Sequence, residues 1–129
     1  MKQISVQTTQ RECLIDITSK VSEVVRSIDK TNGICIVFVP HTTAGITINE
    51  NADPDVKKDI RDTLSRLIPK GANYRHLEGN ADSHVKASLV GASVTIMVEN
   101  KNLMLGTWQG IQFCEFDGPR NRSVLISVF

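Results

Sequence analysis

Short apolar runs that repeat every second residue constrain the fold of this chain more than anything else in it. Ile4 and Val6 alternate with polar neighbours, as do Cys13, Ile15 and Ile17, then Val94, Ile96 and Val98, then Ile111 and Phe113, and finally Val124, Ile126 and Val128. A period of two puts one face of each run against a core and the other toward water, so these segments read as strands. Ile46 and Ile48 alternate in the same way, and Ile34–Val39 is a continuous apolar run that predicts a strand covered on both faces. Two segments break the pattern. Val21, Val24, Val25 and Ile28 form one helical stripe, with Thr18 or Ser19 as its cap and Asn32-Gly33 as its stop. Val56, Ile60, Leu64 and Leu67 form a second, opened by Asp53 as N-cap, Pro54 at the first helical position and Asp55 at the positive end of the dipole. Ser83–Leu89 reads as a single helical turn closed by Gly91, and Asn100-Lys101-Asn102 as a hairpin turn. Strands with two inserted helices predict a single α+β domain with a largely antiparallel, sandwich-like sheet.

At 129 residues and 40% apolar content the chain can bury a core without disulfides or a structural metal. Cys13, Cys35 and Cys114 are far apart and form no Cys-x-x-Cys pair, which fits a reducing, cytoplasmic setting. The first residues lack the apolar stretch of a signal peptide, and no run approaches transmembrane length, so no membrane association is expected. A net charge of +1 argues against a nucleic-acid surface, and the six aromatics are not interleaved with basic residues as a stacking platform would require.

Chemistry is concentrated in two polar segments that hold all three histidines. The first runs from Pro40 to Asp53. His41 leads into Thr42, Thr43 and Gly45, a small hydroxylic loop whose N–H groups and hydroxyls suit an oxyanion; a turn in which the threonines satisfy their own backbone explains the same residues. Asp53 and Asp55 are explained as cap and first-turn charge, whereas Asn49 and Asn51 sit where a strand disfavours asparagine. The second segment runs from His76 to His84 and contains Glu78, Asn80 and Asp82. Two imidazoles and a carboxylate there can bind a divalent ion, although their spacing matches no standard zinc motif. Asp82 can instead orient His84 as a general acid–base pair, or simply cap a turn near Ser83. Farther on, Trp108 stands between Gly106 and Gly110, placed to stack on a ring or to pack in a core or a subunit interface. Arg120 and Arg122 follow the turn Asp117-Gly118-Pro119 and can clamp phosphate.

His41–Asn51, Tyr74-Arg75-His76, Glu78–His84, Leu105–Ile111 and Asp117–Arg120, taken together, resemble the signature blocks of the YjbQ-like proteins, also called the secondary thiamine-phosphate synthase family. The resemblance covers roughly residues 33 to 129, and residues 1–32 agree in pattern only. It implies a seven-stranded sandwich-like core, a homotrimer and a weak thiamine-phosphate synthase activity. That reaction joins hydroxymethylpyrimidine diphosphate to a thiazole phosphate and releases pyrophosphate. Tested against the residues, it assigns His84, Asp82 and Asn80 to catalysis, with His84 protonating the leaving group. It assigns His41, Thr42, Thr43, Asn49, Trp108 and Arg120 to the phosphorylated substrate, with Trp108 stacked on the pyrimidine. A divalent ion, zinc or magnesium, would be held by His41, His76 and His84. The alternative is a non-catalytic trimer that binds a metal or a phosphometabolite.

Overall fold

The computed structural model describes residues 1–129 and contains eight strands and three helices. In chain order these are β1 (Lys2–Gln7), β2 (Cys13–Asp16), α1 (Thr18–Ser27), β3 (Gly33–Phe38), β4 (Ala44–Glu50), α2 (Pro54–Leu67), α3 (Ala81–Val90), β5 (Ser93–Glu99), β6 (Asn102–Leu103), β7 (Gln109–Glu115) and β8 (Asn121–Val128). Every strand pairing is antiparallel. The larger sheet has the order β1-β8-β3-β5-β6 and the smaller one β2-β7-β4. Between them lies one core, with Val6, Val37, Ile96, Val124 and Ile126 from the larger sheet facing Ala44, Ile46, Ile111 and Phe113 from the smaller. No helix is long and apolar enough to cross a membrane.

The period-two reading places the strands correctly, and β6, a two-residue strand after the expected turn, adds an eighth. Asn100 and Lys101 adopt φ of 49° and 61°, the left-handed pair that a two-residue hairpin needs. Helix α2 starts as expected, with Asp53 accepting from the N–H of Asp55 at 2.9 Å. The cap of α1 is different. Asp16 Oδ1, not a hydroxyl of Thr18 or Ser19, accepts from the Thr18 N–H at 2.9 Å, while Val21 and Val25 of this helix are fully buried. Burying such side chains contributes on the order of 1.5–3 kcal/mol each.

Two expectations are corrected. The segment after Asn80 is not one turn but a ten-residue helix, α3, capped at Gly91 with φ of 100°. Its few apolar side chains follow no clean stripe, because the helix is buried through small and charged residues: Ala81, Asp82, Ser83, Lys86 and Ala87. The run Ile34–Val39, in turn, is not covered on both faces. Cys35, Val37 and Val39 face the core, while Ile34, Ile36 and Phe38 are 47%, 36% and 41% exposed.

Helices α2 and α3 cover the far face of the smaller sheet, and β7 is therefore buried on both sides. The approach of α3 depends on Gly45 of β4. A Cβ there would lie 2.8 Å from the carbonyl oxygen of Gly91, the oxygen that accepts from the Ile46 N–H at 3.0 Å. That contact sets the histidine-bearing helix beside the His41 loop.

Candidate functional site

Three segments meet at one end of the molecule: the loop between β3 and β4, helix α3, and the turn between β7 and β8. Between the first two lies an open pocket of about 530 Å³ whose lining includes His41, Thr42, His84 and Ser88. No carboxylate lines it. A second hollow, formed by His76, Ala81, His84 and Val85, shares His84 with the first. The rings of His76 and His84 meet edge to face, with centroids 5.2 Å apart and planes at 81°. All three imidazoles thus stand around adjoining hollows, with His84 in the middle.

Three of the nearby carboxylates are committed elsewhere, and a fourth, the exposed Glu78, lies 3.6 Å from His76 Nε2. Asp82 is fully buried and accepts from both terminal nitrogens of Arg11, at 2.9 and 3.1 Å, and from Lys86 Nζ at 2.8 Å. Lys86 also pairs with Glu12, whose second oxygen accepts from Ser65 at 2.6 Å. Burial pushes the Asp82 carboxyl up, but the hydrogen bonds from Arg11 and Lys86 more than offset this, and its pKa lies below the ordinary value. The expected Asp82–His84 acid–base pair is therefore not formed. Residues two apart on a helix do not share a face; Asp82 turns inward while His84 is half-exposed at the pocket.

Glu115 is fully buried in a bidentate pair with Arg122, and it accepts from Thr8 Oγ1 at 2.7 Å. Burial raises its pKa, but these donors bring it below the usual value. Arg122 also donates to Thr43 Oγ1 at 2.9 Å. Hence Arg122 is no phosphate clamp, and the buried hydroxyl of Thr43 serves the frame of the loop, leaving the exposed Thr42 as its free hydroxyl. Asp117 accepts from Asn80 Nδ2 at 2.9 Å and from Arg120 at 3.0 Å. Burial raises the Asp117 carboxyl, and those two partners hold it below its ordinary value. Arg120 remains half-exposed at the rim, and Asn80 keeps a buried Oδ1 without a donor.

His41 is defined by one bond. Its Nε2 accepts the backbone N–H of Ser123 at 3.0 Å, so the neutral ring carries its proton on Nδ1. Burial lowers its pKa, and the charge of Arg122 lowers it further, which favours this neutral form. A ring with one nitrogen accepting and the other protonated offers a metal no lone pair. His41 thus leaves the expected three-imidazole set, and no three His, Cys, Asp or Glu side chains of the chain gather into a metal-holding group. Zinc or magnesium does not fit the residues that one copy brings together.

Asn49 and Trp108 do not join the pocket. In the β4–β7 ladder Ala44 pairs with Glu115 and Asn49 with Gly110, so they occupy the opposite end of the smaller sheet, roughly 17 Å away. Asn51 is structural: it donates to Asp16 and accepts from Gln112. Ser88 escaped the sequence reading. It lies four residues from His84 and donates to that residue's carbonyl at 2.9 Å, a neighbour that a full helix over this segment would have shown.

The family profile described as "UPF0047 protein YjbQ-like" matches residues 2–129. This chain belongs to the YjbQ-like UPF0047 family. It is 54% identical to UPF0047 protein MJ1081 of Methanocaldococcus jannaschii, over 95% of this chain and 89% of that one. It is 50% identical to UPF0047 protein YugU of Bacillus subtilis, over 99% and 98%. An uncharacterised YjbQ/UPF0047 protein from Clostridium acetobutylicum superposes over the whole of both chains with a TM-score of 0.98 at 50% identity. The hypothetical protein APE1520 of Aeropyrum pernix superposes with a TM-score of 0.95 at 37% identity, over 99% of this chain and 96% of that one. The YjbQ-like match includes residues 2–32, where the signature blocks are absent and Arg11 and Glu12 brace α3.

Proposed function

We propose that this YjbQ-like protein is a transferase of thiamine-phosphate synthase type, which joins hydroxymethylpyrimidine diphosphate to a thiazole phosphate. The observation that carries this reading is a pocket that holds His41, His84, Thr42 and Ser88 and no carboxylate, with Arg120 near the rim. Such a lining offers donors to anionic oxygens; Asp82, Glu115 and Asp117 are each neutralised by a cation outside it, and Glu78 is set against His76.

The thiazole nitrogen attacks the methylene carbon of the pyrimidine, and a C–N bond forms as the C–O bond to diphosphate breaks. The electron pair of that bond leaves on the diphosphate oxygen. His84, protonated, gives its proton to the departing pyrophosphate, and Nδ1–H of His41 and the Thr42 hydroxyl donate to its other oxygens. The outward apolar residues Ile34, Ile36 and Phe38 support assembly as a homotrimer, and the three unpaired cysteines support a cytoplasmic setting.

Turnover of the two precursors by purified protein, measured as pyrophosphate release, tests this reading. Loss of turnover in His84→Ala with an unchanged circular dichroism spectrum is the expected result, and full activity in that variant overturns it. Pyrophosphate binding without turnover of any precursor pair would favour a non-catalytic phosphometabolite-binding trimer, which the same acid-free pocket also suits.

A further inference from the structure

We propose that the histidine pocket of one copy is closed by the Trp108 turn of a second copy, so that each site is made by two chains. This rests on the homotrimer reading above. A ring with an odd number of subunits cannot pair like surfaces across every contact; each subunit presents two different surfaces, one to each neighbour. The chain has two such surfaces, at opposite ends of the smaller sheet.

The first is the pocket rim, where His41 and His84 line the pocket, Arg120 is near enough to His41 to act on its charge, and His76 stands against Glu78 at the adjoining hollow. Arg75 makes no ion pair. The second is the Trp108 end, where Glu50 pairs with Gln109 in the ladder, Asn51 donates to Asp16, Asp53 and Asp55 open α2, and Lys57 faces Asp16 as the nearby cation. Glu50, Asp53 and Asp55 make no ion pair. One surface is basic and the other acidic, and their like charges would oppose any pairing of identical ends.

The Trp108 turn is held firmly and covered by nothing. Gln109 Oε1 accepts the Gly106 N–H at 2.8 Å, and the Asn51 N–H donates to the Trp108 carbonyl at 2.8 Å. Gly110 admits the Asn51 side chain, since a Cβ there would lie 2.6 Å from Asn51 Cβ. Yet the tryptophan itself is 63% exposed. A rigid backbone that holds a large aromatic out in water is the preorganised form of an interface anchor.

An apolar path joins the two ends. Met97 and Ile34 face outward as a cross-strand pair near the start of β3, with Met104 beside them. Ile36 and Phe38 continue the stripe to Pro40 and His41. His41 in turn rests on Ser123 of β8. A second copy laid head to tail along this stripe buries it and carries its Trp108 to the first copy's His41 and His84. The indole then walls a pocket otherwise lined by small and polar groups and supplies the flat surface for a substrate ring.

Trp108 is the only tryptophan, so intrinsic fluorescence reports on it alone. Contact with a protonated imidazole quenches an indole. The expected result is a blue-shifted emission resistant to iodide in the assembled protein, with intensity lost as the pH is lowered and the facing imidazole gains its proton. His84→Ala and His84→Gln should remove most of that loss while sedimentation shows the assembly unchanged. A trimer whose emission is solvent-like, or whose intensity ignores pH, overturns the shared site and leaves the homotrimer reading standing. A monomer by sedimentation overturns both.

Discussion

The backbone N–H of Ser123 donates to His41 Nε2 at 3.0 Å, across the junction of β8 and the loop that follows β3. This bond fixes the tautomer of His41 and turns the ring from a metal ligand into a hydrogen-bond donor. Its consequence is measurable. Long-range nitrogen–proton NMR correlations should show Nδ1 protonated, with a titration midpoint below the ordinary 6.5. Because the folded value lies below the unfolded one, the stability from neutral His41 is fully present above pH 6.5 and is lost as the pH falls through the window beneath it. A ring protonated on Nε2 would contradict the assignment.

Asp82→Asn should damage stability more than chemistry. The substitution leaves the fully buried Lys86 with only Glu12 and strips Arg11 of its bidentate partner. Breaking a buried pair in this way costs about 3 kcal/mol or more. Urea unfolding should show the loss as a lower midpoint with an unchanged slope. If Asp82 were the base that His84 needs, the variant would instead remain stable and lose turnover.

Acid should unfold the protein through a small set of carboxylates. Asp82, Glu115, Asp117 and Asp16 all have folded pKa values below their ordinary ones. Each therefore contributes stability that is complete above its unfolded pKa, near 3.8 for aspartate and 4.5 for glutamate, and lost as the pH falls through the folded value. Glu115→Gln should lower stability at neutral pH by about 2–4 kcal/mol and flatten the acid limb of a stability profile.

Gly45→Ala should be among the costliest small changes in the chain. The new methyl would sit 2.8 Å from the Gly91 oxygen and 3.2 Å from Val90 Cγ1, and neither a strand nor the end of a helix yields easily. We expect a loss of roughly 1–3 kcal/mol. The His76 and His84 resonances should shift together as α3 is pushed outward, while those of Trp108 stay in place.

The thiols should be slow to react. Cys35 is pushed up to about 11 and Cys114 to about 12 by burial. Cys13, half-buried, is also raised, by burial and then by the charge of Glu115. Native protein treated with a thiol reagent at neutral pH should label weakly, first at Cys13, and label at all three sites only in denaturant.

What the sequence made legible follows from how local each signal is. Alternation found the strands because each one keeps a single face in the core, and Asp53-Pro54 marked α2 because a cap and a first-turn proline act within a few residues. α3 was nearly invisible, since a helix buried through Asp82, Ser83 and Lys86 carries no apolar stripe; its partners Arg11 and Glu12 lie 71 and 74 residues away in the chain. The outward face of β3 was misread for a related reason. An apolar run says only that both faces avoid water, and one of them can wait for a surface outside the chain. The two polar segments point to the histidines as neighbours, which stand around two hollows that share His84 and not in one; the separation of Trp108 and Asn49 from them is not legible, because ladder register is a property of the whole sheet.

The braces on Asp82 also restrict how such a protein can drift. Arg11, Glu12, Asp82 and Lys86 balance two positive against two negative groups, with Asp82 and Lys86 closed to water and Arg11 and Glu12 partly exposed. A lone replacement strands its former partner, so viable change must come in compensated pairs that link the segment between β1 and β2 to the helix bearing His84. Historical substitutions at Arg11 and Asp82 should therefore be found together, as co-inherited swaps rather than independent events.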